Sequence, residues 1–446
     1  MSSGVGSLES YLLDLCERPV TEAELMEAEL AFVDTIGVAL AAAHEPMVGV
    51  VAAWVAPFSC DAPADVVDGA ALLLGVAGHC LDFDDTELQG KVHPSASLVA
   101  TILPLAGTLH ASGRRLLEAY VVGLRVTHAL GGVQQPGLHL RGYHPTATVM
   151  PVASAAAAGA LVGLDRDHLG HALAVSTSLA GGTREVFGTM MKSMHAGLSA
   201  TRGFFAARAA AAGIEGPARF LSGPSGYLFA HAGTIPSVEE METTRRTARL
   251  LPKLFPCGHY AHAAIEATLE ARRSLGFTSA ADVESAHVLA SSQCVATLNH
   301  PQAGTPLEGK FSLPYCVALA AHRGAVEAVD FTPEGFGDPE VMRLSTDVTV
   351  ESSDRFDRGP DFASEVRVRL KDGREETFCV EHLAGEAERP VNARQIYDKF
   401  RAIVPAATRS EAEDLLSRLS SIGDADDTCD LASTLLVRLR SEARHA

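Results

Sequence analysis

The sequence predicts a mostly α-helical protein: a large all-helical domain formed by both ends of the chain, with a smaller α+β domain inserted between them. Three observations carry this expectation. Residues 7 to 250 read as one helical stretch after another, with Gly or Pro punctuation at helical intervals. Alternation of apolar and polar residues, hard to find before, begins near residue 253. After Pro390 the composition is helical again to the end. The expected boundaries are residues 1–250 with 391–446 for the helical domain and 251–390 for the α+β domain.

The elements follow in order. His93-Pro94 closes a loop before an apolar helix running from Ser97 to Thr108. His144-Pro145-Thr146 stands at the start of a long Ala-rich helix containing VASAAAAGALVG, residues 152–163. DRDHLGHALAVSTSLAGG (165–182) has an acidic start and a double-glycine stop. RGFFAARAAAAG (202–213) offers small residues for close helix packing. Beyond residue 253, helices are expected over 258–275 and 311–324, and strands over 283–292, 345–353 and 365–383. The last stretch contains Asp372-Gly373, a strong hairpin signal.

Composition narrows the class. With 47% hydrophobic and 20% charged residues, the chain reads as an ordinary folded soluble protein. No run of about 18 apolar residues suggests a transmembrane helix, and the N-terminus lacks a secretory pattern, so the cytoplasm is expected. Eight cysteines (16, 60, 80, 257, 294, 316, 379 and 429), with no C-x-x-C, predict reduced, mostly buried thiols. A net charge of −19 argues against nucleic-acid and anionic-membrane partners. An anionic substrate would then need locally placed cations, and the chain has only six lysines: Lys91, Lys192, Lys253, Lys310, Lys371 and Lys399.

Five stretches could carry chemistry. In GHCLDFDDTELQGKVHPSA (78–96), helical spacing would put His79, Asp82 and Thr86 on one face, with Asp85 near it and Asp84 pointing elsewhere. The same acids could instead cap backbone amides at a turn, and Asp84 and Asp85 are read as structural. His144 lies at a helix N-terminus, where free N–H groups favour anions. GTMMKSMHAG (188–197) brings Lys192 and His195 within one turn in an apolar setting, either as a solvated helix end or as a grip on a carboxylate. LPKLFPCGHYAHAAIEA (251–267) clusters Lys253, His259 and His262, and Tyr315 adds a phenol from FSLPY. Each alone is as readily a structural residue. The two parallel His-Pro segments make a shared cleft more plausible.

Taken together, DFDDT with HPSA, GYHPTAT, MMKSMHAG, GPSGYLFAHAG, KLFPC with HAAIEA, and KFSLPY resemble the MmgE/PrpD family, in the family's order across residues 78–319. That family includes 2-methylcitrate dehydratases, cis-aconitate decarboxylases and an iminodisuccinate epimerase. The resemblance implies a helical domain from both ends, a smaller α+β lid, a homodimer, and catalysis without metal or organic cofactor. It places Asp82, His93, His144 and Lys192 as catalytic residues, with Thr86, Lys253, His259 and Tyr315 binding substrate. Two features depart from the decarboxylase members. Gly258 stands where they carry a histidine, with His259 one place later, and the spacing from Thr86 to His93 is one residue longer.

Such substrates carry two or three carboxylates and react at the carbon beside one of them. Enolate-like charge there needs positive groups or hydrogen-bond donors. Lys192 and Lys253 suit the carboxylates, and His93 and His144 suit general base and acid. Asp82 would orient or balance an imidazole, while Thr86 and Tyr315 would donate hydrogen bonds. A terpene cyclase, which also uses DxDDT, fits poorly, because cations beside a carbocation are counterproductive and aromatic residues are only 6%. A Mg²⁺ site needs converging carboxylates, whereas acids on a helix fan around its axis. The expectation is a cofactor-free lyase with a small anionic substrate. Dehydration of a 2-methylcitrate-like acid ranks first, followed by decarboxylation, epimerisation, and finally a non-catalytic carboxylate binder.

Overall fold

The computed structural model of the chain describes residues 7–56, 63–298, 300–360, 362–405 and 409–443, so Cys60 lies outside it. It is mostly helical, with one four-stranded and one two-stranded sheet. Small residues set the helix packing. Helix Pro63–Cys80 crosses helix Met191–Ala211 where a Cβ on Gly75 would lie 2.6 Å from Gly197 Cα, so only glycine allows the approach. Helix Met191–Ala211 also packs on Pro145–Val162, while Pro94–Thr108 and Gly113–Leu130 complete the group. Helix Pro145–Val162 is long and apolar enough to cross a membrane, but 89% of it is buried inside the protein, as expected for a core helix.

Hydrophobic side chains gather into two cores. One draws on residues from Leu8 to Met241 and again from Ile396 to Ala443; the other runs from Leu251 to Leu383. In the second, strands are ordered Val348–Ser352, Val283–Ala290, Ser364–Leu370, Glu375–Val380. The first pair is parallel and the others antiparallel. Asp372-Gly373 turns the final hairpin, with Gly373 at φ 90°, a conformation glycine adopts without cost. Helices His262–Leu275 and Leu313–Arg323 pack beside this sheet.

Two expectations about local structure fail. The helix expected to stop at the double glycine ends earlier, as Arg166–Thr177, with Ser176 and Thr177 hydroxyls bonded back to Leu173 and Ala174 carbonyls. More important for the site, helix Pro63–Cys80 stops before the acidic motif. Asp82 adopts φ 54°, its N–H donating to the His79 carbonyl, and Thr86–Glu87 form a short antiparallel bridge with Leu250–Leu251. His79, Asp82 and Thr86 therefore share no helical face. That bridge ties the acidic motif to the chain just before Lys253.

Candidate active site

The turn does what a helix could not: it gathers the acids' partners around one carboxylate. Asp82 Oδ1 accepts hydrogen bonds from Lys192 Nζ and Lys253 Nζ, both at 2.8 Å. Lys253 also donates to the Asp82 carbonyl at 3.0 Å. All three side chains are buried, Lys253 completely. Burial alone would push the Asp82 carboxyl up, but Lys192 and Lys253 overcome it and hold it well below the usual carboxylate range. For Lys192 burial dominates, lowering its pKa despite Asp82.

His79 completes the arrangement. Its Nδ1 lies 2.8 Å from Asp84 Oδ2 and its Nε2 lies 3.0 Å from Lys192 Nζ. An ammonium can only donate, so Nε2 accepts and Nδ1–H donates to Asp84. Asp84, read from the sequence as structural and pointing elsewhere, instead fixes the tautomer of the ring that positions Lys192. Asp85 serves as a cap. Its carboxylate accepts from the Ser95 N–H at 3.2 Å at the start of helix Pro94–Thr108, and burial pushes its pKa up to about 8.

The two His-Pro segments meet. The His93 N–H donates to Thr146 Oγ1 at 3.2 Å, and both His93 and His144 line a cavity with Asp82, Thr86, Lys192, Lys253 and His259. Nδ1 of His93 lies 2.9 Å from the Asp85 carbonyl, so it carries the proton and Nε2 is left as the basic atom. His144 Nδ1 faces His195 Nδ1 at 2.9 Å, a pair in which one ring donates and the other accepts. Burial, reinforced by nearby cations, depresses the pKa of both His93 and His144 well below the ordinary 6.5. The basic form of His93 is therefore lost only as pH falls through that lowered value. If His93 is the essential base, kcat/KM stays flat as pH drops through the ordinary imidazole range. A half-maximal point near 6.5 in an initial-rate pH profile would contradict this.

Some polar atoms are left for a ligand. Asp82 Oδ2 and both ring nitrogens of His259 are buried without a hydrogen-bond partner among the described residues, and both residues line the cavity. Such orphans each cost about 1–3 kcal/mol unless something completes them.

The structure does not bring Tyr315 to this cavity. Its ring packs on Phe331 and Phe336, and its hydroxyl donates to the Asp330 carbonyl at 3.3 Å. Its helix directs the phenol into the second core rather than toward the substrate space. Tyr315→Phe should therefore leave kcat/KM within about twofold of the parent while costing about 1 kcal/mol of stability, measured by steady-state rates and urea denaturation.

The metal question also changes. With the acids on a turn rather than a helix, His79, Asp82, Asp84 and His93 do converge, their donor atoms within 4.8 Å of one another. A metal ion there would compete with Lys192 Nζ for Asp82 Oδ1 and His79 Nε2. The chain's own ammonium groups already supply the balancing charge. Sequence reasoning missed Asp84 for want of the turn. It gave no role to Lys91, though that residue lies in the acidic motif, and it missed the lining residues His139, Arg184 and Gln293, which carry no motif or periodic signal.

Comparisons with known proteins find matches along most of the chain. The MmgE/PrpD N-terminal domain matches residues 7–239 and the MmgE/PrpD C-terminal domain matches residues 255–420. The cis-aconitate decarboxylase of Mus musculus is 27% identical over 383 residues, covering 82% of this chain and 78% of that protein. The cis-aconitate decarboxylase of Homo sapiens is 28% identical over 383 residues, covering 82% and 79%.

Proposed function

The chain belongs to the MmgE/PrpD family, and from that premise we propose that it is a lyase acting on a small di- or tricarboxylate, with loss of water from a 2-methylcitrate-like hydroxy acid as the first reading. One observation carries it: two buried ammonium groups share a carboxylate oxygen beside an imidazole, His93, whose tautomer leaves Nε2 basic. A substrate carboxylate entering here meets Lys192 and Lys253, whose attraction is strengthened by their burial. His93 Nε2 then removes the proton next to that carboxylate. The electron pair moves toward the carboxylate, where the two ammonium groups stabilise the enolate-like charge. The hydroxyl leaves from the adjacent carbon as water, protonated by the His93 imidazolium so formed.

Decarboxylation is the second reading, favoured by the names of the two curated relatives. The same cations would hold the remaining carboxylates while CO₂ leaves and the carbanion so formed takes up a proton. His259 lines the cavity beside Gly258, so an imidazole is supplied to this wall despite the shifted position. The cavity is lined by Lys253, His259, Phe311 and Phe362 from residues 251–390 and by Asp82, Thr86, His93, His144 and Lys192 from the preceding stretch. This supports residues 251–390 as a lid over the site. A homodimer in the cytoplasm belongs to the same reading.

One assay separates the outcomes. Purified protein is incubated in D₂O with 2-methylcitrate, citrate, cis-aconitate or iminodisuccinate and followed by NMR. New olefinic signals from the hydroxy acids report dehydration, a decarboxylated product from cis-aconitate reports CO₂ loss, and deuterium exchange without either reports epimerisation chemistry. No change with any of the four would overturn the reading.

A further inference from the structure

The central cavity continues outward to a second set of polar residues, distinct from the groups around Asp82. Arg184 lines both this cavity and a neighbouring one of about 370 Å³ that includes Thr183 and Glu185, so it stands where the site meets the outside. Its backbone is fixed. The Arg184 N–H donates to the Gly142 carbonyl at 2.8 Å, and the Phe187 N–H donates to the Arg184 carbonyl at 3.0 Å. Tyr143 and Thr183 form a bridge just before it, tying this segment to the one that carries His144. The guanidinium is partly buried, yet among the described residues it forms no ion pair and its buried Nε has no hydrogen-bond partner. A guanidinium loses hydration on burial, and a carboxylate is the group whose two oxygens match its planar fork.

The cavity's remaining groups fit an anion at this end. Lys91 Nζ donates to Gln293 Oε1 at 2.7 Å, and Gln293 Nε2 lies 3.3 Å from His139 Nδ1, a linked set of groups that all line the cavity. Among the described residues that line this cavity Asp82 is the only carboxylate, and its Oδ1 is held by Lys192 and Lys253, while Glu185 lines the adjoining one. An apolar wall adjoins the inner cations: Phe187 and Phe311 stack at 5.4 Å between centroids, each within 6 Å of Lys192 Nζ. The lining thus offers the inner cations, aromatic rings beside them, and a further cation at Arg184.

We infer that Arg184, supported by Lys91 and Gln293, forms an outer subsite for a second carboxylate of the substrate, remote from the reacting carbon. The inference rests on the lyase reading and deepens it, because it selects acids with two separated carboxylates over monocarboxylates.

The test uses unreactive probes. Tricarballylate, with three carboxylates on a propane skeleton, and butyrate, with one, are titrated by NMR into the parent chain, Arg184→Gln, Arg184→Lys and Lys192→Ala. The parent should prefer tricarballylate. Arg184→Gln should weaken tricarballylate binding by about tenfold, one charge-assisted contact's worth, and leave butyrate unchanged. Arg184→Lys, which keeps the charge, should recover part of the loss, a rescue that a merely structural role would not give. Lys192→Ala should weaken both probes. Equal weakening of both probes in Arg184→Gln, or no recovery in Arg184→Lys, would overturn the subsite. Tricarballylate binding lost in Lys192→Ala but kept in Arg184→Gln would overturn the subsite and leave the lyase reading standing. A parent chain that binds neither probe would overturn both.

Discussion

Lys192→Ala should lower kcat/KM by about 10²–10³-fold, the range seen when one donor to developing transition-state charge is removed. The loss should appear in both KM and kcat, because Lys192 meets the substrate carboxylate on binding and also stabilises the enolate-like charge of the transition state. Two further consequences follow from the geometry. His79 Nε2 loses its donor, so the ring is no longer held by both nitrogens. Asp82 keeps Lys253 on the same oxygen, so the buried carboxylate is not stranded and the fold should persist. Steady-state kinetics on whichever acid turns over, paired with a thermal melt, would check both halves. Activity within about threefold of the parent would remove Lys192 from the chemistry.

Asp82→Ala should be the most destabilising single change at the site. It leaves two buried ammonium groups, Lys192 and Lys253, without their shared anion. Breaking a buried ion pair from one side costs about 3–5 kcal/mol. Alanine also fits the φ of 54° poorly, whereas aspartate and asparagine tolerate the left-handed region. Asp82→Asn should therefore be more stable than Asp82→Ala by about 1 kcal/mol, while still lacking the charge. The pH dependence has a definite sign. Because the folded-state pKa of Asp82 is depressed, its contribution is fully present above the unfolded value near 3.8 and is lost as pH falls through the folded one. The stability gap between the parent and Asp82→Asn should be constant through neutral pH and close only in strong acid. Urea denaturation at several pH values would show it, and a gap that closes between pH 7 and 5 would contradict it.

Much of this was readable in the sequence, because the signals are local. Proline after His93 and His144 marks helix starts at both places. Alternation and Asp372-Gly373 mark the later strands. The acidic motif was misread because nothing within it breaks a helix. Its turn is held from far away: Lys310 donates to the Cys80 carbonyl at 3.0 Å, Lys253 to that of Asp82 at 3.0 Å, and Lys399 to that of Phe83 at 2.8 Å. Helical periodicity cannot register partners that distant. Tyr315 failed for a related reason, since motif order along the chain does not say which side of helix Leu313–Arg323 faces the cavity. Arg184 lies in a short 3₁₀ turn with no repeat to mark it.

The gathering of lysines has a practical consequence for observing this protein. Of its six lysines, Lys371 alone sits away from the site, in the exposed hairpin turn; the other five lie on or against residues 80–93. Isotopic labelling of a single amino-acid type would thus make a spectroscopic reporter of the cavity, with Lys371 as its internal reference.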